Sequence, residues 1–135
     1  MATKKIGQEV PIELNDGTPV TLRPLNIKKL KEFMAKFRKI NTLDDEELSD
    51  TEREVAFMDI VVDMAAISLS TQLKEQTEYL YKKYDSDEEY LEAREKWEEM
   101  VDQDTVAYIN EICGGIKFGG NTVDDADFPT GRDEG

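Results

Sequence analysis

The sequence predicts a mainly α (α+β) fold in which an N-terminal β-hairpin packs on a small bundle of about four helices, with a disordered acidic tail after them. Three observations lead there. Apolar and polar residues alternate before residue 25, apolar residues then recur at helical spacing behind cap signals up to Cys113, and aliphatic residues thin out after Phe118.

The hairpin comes first. Val10, Ile12 and Leu14 alternate with polar residues or proline, as do Val20 and Leu22, and Asp16-Gly17 supplies residues that tolerate positive φ. Pro11 and Pro19 lack a donor, which confines them to edge or terminal strand positions. A lone hairpin is marginal in water, so residues 9–25 need a surface to pack on.

Asn26 is a good N-cap, and Ile27, Leu30, Phe33, Met34, Phe37 and Ile40 follow on one face, predicting a helix over 27–40. Its other face is basic, with Lys28, Lys29, Lys31, Lys36, Arg38 and Lys39 against Glu32. Residues 41–50 read as an acidic connector, and Ser49 with Glu52 forms a capping-box signature for a second helix beginning near Asp50. From Val55 to Leu69 that helix is apolar almost all round, which marks it as the central buried element. Helical character continues to Tyr84, with Ser70, Thr71 and Gln72 as a point of interruption that leaves the boundary open. Ser86 and Glu89 repeat the capping-box pattern before a charged helix carrying Tyr90, Leu91, Trp97, Met100 and Val101. Asp102 to Thr105 suggests a further cap ahead of a short helix from Val106 to Cys113, with Ile109 and Ile112 turned inward and Gly114 as its stop. This organisation gives one domain over residues 1–118 and a flexible acidic tail over 119–135.

Composition narrows the function. The 135 residues carry a formal net charge of −14, which disfavours nucleic acid, since phosphate binding draws on lysines and arginines that displace counterions. The charge is also divided unevenly: residues 1–40 hold 9 basic and 4 acidic side chains, and residues 41–135 hold 8 and 27. Such asymmetry supports weak self-association of opposite faces or docking to a charged partner. The N-terminus lacks the apolar run of a signal peptide, and Asp63 and Ser68 interrupt the longest apolar stretch, so neither secretion nor membrane insertion is expected. Cys113 is the only cysteine, which excludes an intrachain disulfide and makes the cytoplasm the default location.

No constellation for catalysis or metal binding stands out. Without histidine, the commonest general base and zinc ligand are missing, and Cys113 has no partner to activate it. Adjacent acids such as Glu88-Glu89 and Glu98-Glu99 point in different directions on a helix. Asp85 to Lys96 fails as a calcium loop, because Tyr90 stands where glycine is required and Lys96 where the bidentate glutamate belongs. Gly114 to Gly120 lacks the Gly-Lys-Ser/Thr ending of a phosphate loop. A non-enzymatic protein with no cofactor that works by binding other proteins is the expectation.

Three segments carry a resemblance. EVPIELNDGTPVTLRPLNIKKLKEFMAKF (Glu9 to Phe37), FMDIVVDMAAISL (Phe57 to Leu69) and DTVAYINEICGGIKF (Asp104 to Phe118) resemble, in the same order, the tail assembly chaperones of long-tailed, siphovirus-type bacteriophages. The resemblance implies a protein of the host bacterial cytoplasm that binds the aggregation-prone tape measure protein and keeps it soluble while tail tube subunits polymerise around it. It also implies a second, frameshifted product, whose extension would start in the glycine-rich acidic segment after Phe118 and recruit tube subunits. Candidate partner-binding residues are Lys28, Lys31, Lys36 and Lys39 for charge contacts, and Ile116 with Phe118 for an apolar contact at the root of the tail. The alternatives are a structural tail or connector component of the virion, and an acidic DNA mimic that inhibits a host enzyme; the basic first helix counts against the mimic.

Overall fold

The computed structural model describes residues 9–45 and 47–116. The expected acidic tail, 119–135, lies outside the described residues, as does Phe118. Within them the chain forms strands β1 (Val10–Glu13) and β2 (Pro19–Leu22), then helices α1 (Ile27–Arg38), α2 (Asp50–Ser68), α3 (Lys74–Thr77), α4 (Asp87–Glu98) and α5 (Gln103–Gly114). The fold is thus mainly helical with an N-terminal antiparallel hairpin, as its patterning predicts.

Both strand prolines sit where they do no harm. The register pairs Pro11 with Thr21 and Glu13 with Pro19. Thr21 spends its N–H and its C=O on the Gln72 side chain, at 2.9 and 2.7 Å, so the Pro11–Thr21 pair exchanges no ladder bonds. By alternation the Glu13–Pro19 pair exchanges none either, and the missing donors cost the ladder nothing. Gln72 meanwhile covers the outer edge of β2 as a neighbouring strand would. The turn closes through Leu14 N–H to Thr18 O at 2.9 Å, with Gly17 at φ 89°. Leu14, Val20 and Leu22 face the core, and backbone bonds from Asn15 to Met100 O and from Leu25 to Cys113 O fasten the hairpin to the turn between α4 and α5 and to the last turn of α5.

α2 is the axis of the bundle. Its capping box is complete, with the Ser49 hydroxyl accepting from Glu52 N–H and the Glu52 carboxylate accepting from Ser49 N–H. Every residue from Val61 to Ser68 is buried, and both α1 and α5 pack along it. At its end the hydroxyls of Ser68 and Ser70 take the carbonyls of Met64 and Ile67, and a turn follows. The interruption at Ser70 to Gln72 is therefore real, and the residues after it form only α3 and a short 3-10 turn, Glu78–Leu80.

Several boundaries depart from the sequence reading. α1 stops at Arg38, and Lys39–Asp45 tightens into a 3-10 helix that buries Leu43, so the acidic connector is partly helical. In α4 the Ser86 hydroxyl caps Glu89 N–H, but the Glu89 carboxylate reaches Asp85 N–H rather than that of Ser86, leaving the box half-made. α5 starts at Gln103, three residues before the expected Val106, because Asp102 caps it by accepting from Thr105 N–H at 2.8 Å. Its stop is Gly115, at φ 73°, rather than Gly114. Gly114 is the last helical residue and lies against the Phe33 ring, where a Cβ would collide with the aromatic carbons.

This contact yields a first prediction. Gly114→Ala gains helix propensity but overpacks the α1–α5 contact, and the steric term wins, lowering stability by about 1–3 kcal/mol in urea denaturation. Phe33→Leu in that background recovers part of the loss; additive losses would show that the ring is not the obstacle.

A second concerns acid. Hydrogen bonds from the Thr105 backbone and side chain hold the Asp102 carboxyl below its ordinary value, so its stabilising contribution is present above the ordinary value of 3.8 and is lost as pH falls through the lower folded one. Asp102→Asn keeps the capping oxygen without the titration. Thermal midpoints followed from neutral to acidic pH should fall less steeply for this variant than for the parent.

Candidate functional site

Of the lysines marked as contacts, Lys28 and Lys31 are exposed on α1 and Lys39 just beyond its end, with no ion pair from their side chains to another described residue. Arg38 is exposed as well and extends this outer basic stripe. Lys29 is taken: its ammonium stands 3.0 Å from the Tyr81 hydroxyl, which donates to Glu32, and 4.9 Å from the Tyr81 ring centre. Burial opposes its charge, but the contacts to Tyr81 and Glu32 outweigh it and raise its pKa.

Lys36 does not join the stripe. It turns inward to Asp63, with Nζ 3.2 Å from Oδ2 and its side chain 29% exposed. Asp63 belongs to a buried polar cluster that sequence reasoning missed. Its Oδ1 accepts from the Tyr79 hydroxyl at 2.8 Å and from Arg94 Nη1 at 2.5 Å. Arg94 further donates through Nε to Glu98 at 2.9 Å and through Nη2 to the Asp59 carbonyl at 3.0 Å, while its guanidinium lies 5.4 Å from the Tyr79 ring centre. Burial and the adjacent Asp63 charge push the Tyr79 phenol far above its ordinary range. The guanidinium is also desolvated, but the Asp63 carboxylate keeps it firmly protonated. Burial raises the Asp59 carboxyl, partly offset by Arg94. A signal for this cluster was present, since a charged residue inside an otherwise apolar helix needs a buried counter-charge; what the spacing could not show was that Arg94, 31 residues later, supplies it.

Chemically the cluster is closed. Its donors and acceptors meet one another, and a phenol and a guanidinium held protonated transfer no protons near neutrality. Its work is to join α1, α2, the 3-10 turn and α4. Cys113 is buried, which raises its thiol above its ordinary value and keeps it from the nucleophilic thiolate form. Among the described residues no group of three or more His, Cys, Asp or Glu is placed to hold a metal ion, and no helix is long and apolar enough to cross a membrane.

At the root of the tail Ile116 is half-buried, packs against the core and donates its N–H to Asn110 O at 3.3 Å. The described surface includes the outer α1 stripe and exposed apolar side chains, among them Ile27, Val55 and Leu91, which are 68%, 56% and 52% exposed. Neither a family model, nor a curated protein, nor a solved structure matches the chain.

The buried pair can be tested directly. Arg94→Met leaves the Asp63 carboxylate desolvated with only Lys36 and Tyr79 to offset it, a loss on the order of 3–5 kcal/mol in denaturant titrations. Adding Asp63→Leu removes the stranded charge, so the double variant is expected to be more stable than Arg94→Met alone.

Proposed function

We propose that this chain is a tail assembly chaperone of a long-tailed bacteriophage, acting in the host cytoplasm to bind the tape measure protein and keep it soluble while tube subunits assemble on it. The observation that carries the reading is the order of the three resembling segments and their meeting in one unit. The hairpin is bonded to the turn before α5 and to the last turn of that helix, α1 and α5 both lie along α2, and Phe33 of the first segment seats on Gly114 of the third.

The surface suits the role. A basic stripe on a predominantly acidic molecule supports many weak, reversible contacts along an extended partner, so that multivalency rather than one tight site supplies the strength. Lys28, Lys31 and Lys39 are the charge contacts, while Lys36 holds the bundle together from within. A chaperone displaced by arriving tube subunits must bind each copy weakly, and exposed ion pairs screened by salt meet that requirement.

Co-expression with the tape measure protein encoded in the same genome tests this. The partner should become soluble and be captured with the chain at low salt, and released as salt rises. Lys28→Glu/Lys31→Glu/Lys39→Glu should weaken capture by about tenfold, equivalent to roughly 1.4 kcal/mol. A tape measure protein that stays equally insoluble with and without the chain would defeat the reading.

A further inference from the structure

In the N-terminal half of α2 the apolar side chains are less enclosed than those further along the helix. Val55 is 56% exposed, and Phe57 and Met58 are only partly buried, although the same helix is wholly enclosed from Val61 onward. With Ile40 and Leu43 of the 3-10 helix Lys39–Asp45, Phe57 and Met58 floor an open groove of about 620 Å³ that runs to Gln103 at the start of α5. Its rim is acidic, with Asp44, Asp50 and Glu54 lining it. Among the described residues that line it the one cation is Arg53, whose contacts to Asp44 and Asp50 are long, at 3.9 and 3.6 Å, and whose buried Nε has no hydrogen-bond partner there.

We propose that this groove receives an amphipathic helix of a partner protein, its apolar residues filling the floor and flanking lysines or arginines meeting Asp44, Asp50 and Glu54. The inference rests on the partner-binding function above and gives it a location and a chemistry. A helix laid in a groove anchors through apolar residues at i, i+3 or i+4, and i+7. Met58 makes the floor adaptable, because an unbranched thioether repacks around side chains of different shape. The rim decides the sign of the partner: three carboxylates against one guanidinium repel an acidic helix and attract a basic one. The groove is distinct from the outer stripe of α1, so a long partner with both basic and acidic stretches can engage the two surfaces in turn.

The test uses the full chain and two labelled helical peptides with the same leucine anchors, one flanked by lysines and the other by glutamates, followed by fluorescence anisotropy. The lysine peptide is expected to bind saturably. Asp44→Lys/Glu54→Lys, at two exposed positions, should weaken it by about tenfold and shift preference toward the glutamate peptide, with the fold verified by circular dichroism. Met58→Ala should weaken both. Absence of lysine-peptide binding, or binding indifferent to charge reversal, overturns the proposal. Self-association of the parent chain that the same reversal abolishes would assign the groove to a second copy and equally overturn it. Capture of the tape measure protein that the reversal leaves untouched would remove the groove while keeping the proposed function. Binding of the lysine peptide without any capture of the tape measure protein would keep the groove and count against that function.

Discussion

One buried carboxylate constrains the rest of the bundle. Asp63 is 6% exposed in the middle of a helix that is otherwise apolar there, and a desolvated charge without partners would cost several kcal/mol. Three elements supply those partners: Lys36 from α1, Tyr79 from the 3-10 turn after α3, and Arg94 from α4. Each must arrive at a fixed height along α2, so the requirement sets the register of all three against the central helix. Hydrophobic packing alone tolerates a helix sliding by a turn; a matched ion cluster does not.

The same logic recurs in smaller polar contacts. The Trp97 indole donates to Val62 O and the Asn110 amide to Val61 O, both at 3.1 Å, so α4 and α5 are each keyed to one turn of α2. Gln72 performs the corresponding task for the hairpin by bonding both backbone groups of Thr21. A strand pair too short to be stable alone is thereby fastened at its edge, at its turn and at its exit.

Burial is divided unevenly between the two halves of α2. The C-terminal half is enclosed and carries the charge cluster, whereas the N-terminal half leaves apolar side chains beside an acidic rim. α1 shows a similar division around its circumference, with Phe33 and Lys36 turned to the core and Lys28, Lys31 and Arg38 to solvent. A basic stripe and an acidic groove on one small molecule give it two surfaces of opposite sign, whose electrostatic contacts salt screens.

Much of this was decided within a few residues of each position and was therefore legible in the sequence. Asn26 and Ser49 cap their helices because a side-chain oxygen reaches an N–H three residues on, and Gly17 turns the hairpin because it tolerates positive φ. The hairpin, the helix order and the centrality of α2 follow from such local rules and from the spacing of apolar residues. Which of two adjacent glycines ends α5 was not legible, because only the tertiary fold brings the Phe33 ring against Gly114. Nor could periodicity separate Lys36 from its neighbours, since its burial depends on Asp63, 27 residues away, and on Arg94 beyond it. Caps and turns are settled by local geometry, whereas burial, desolvation and the exposure of a groove depend on what distant chain segments leave covered, and only the folded arrangement decides that.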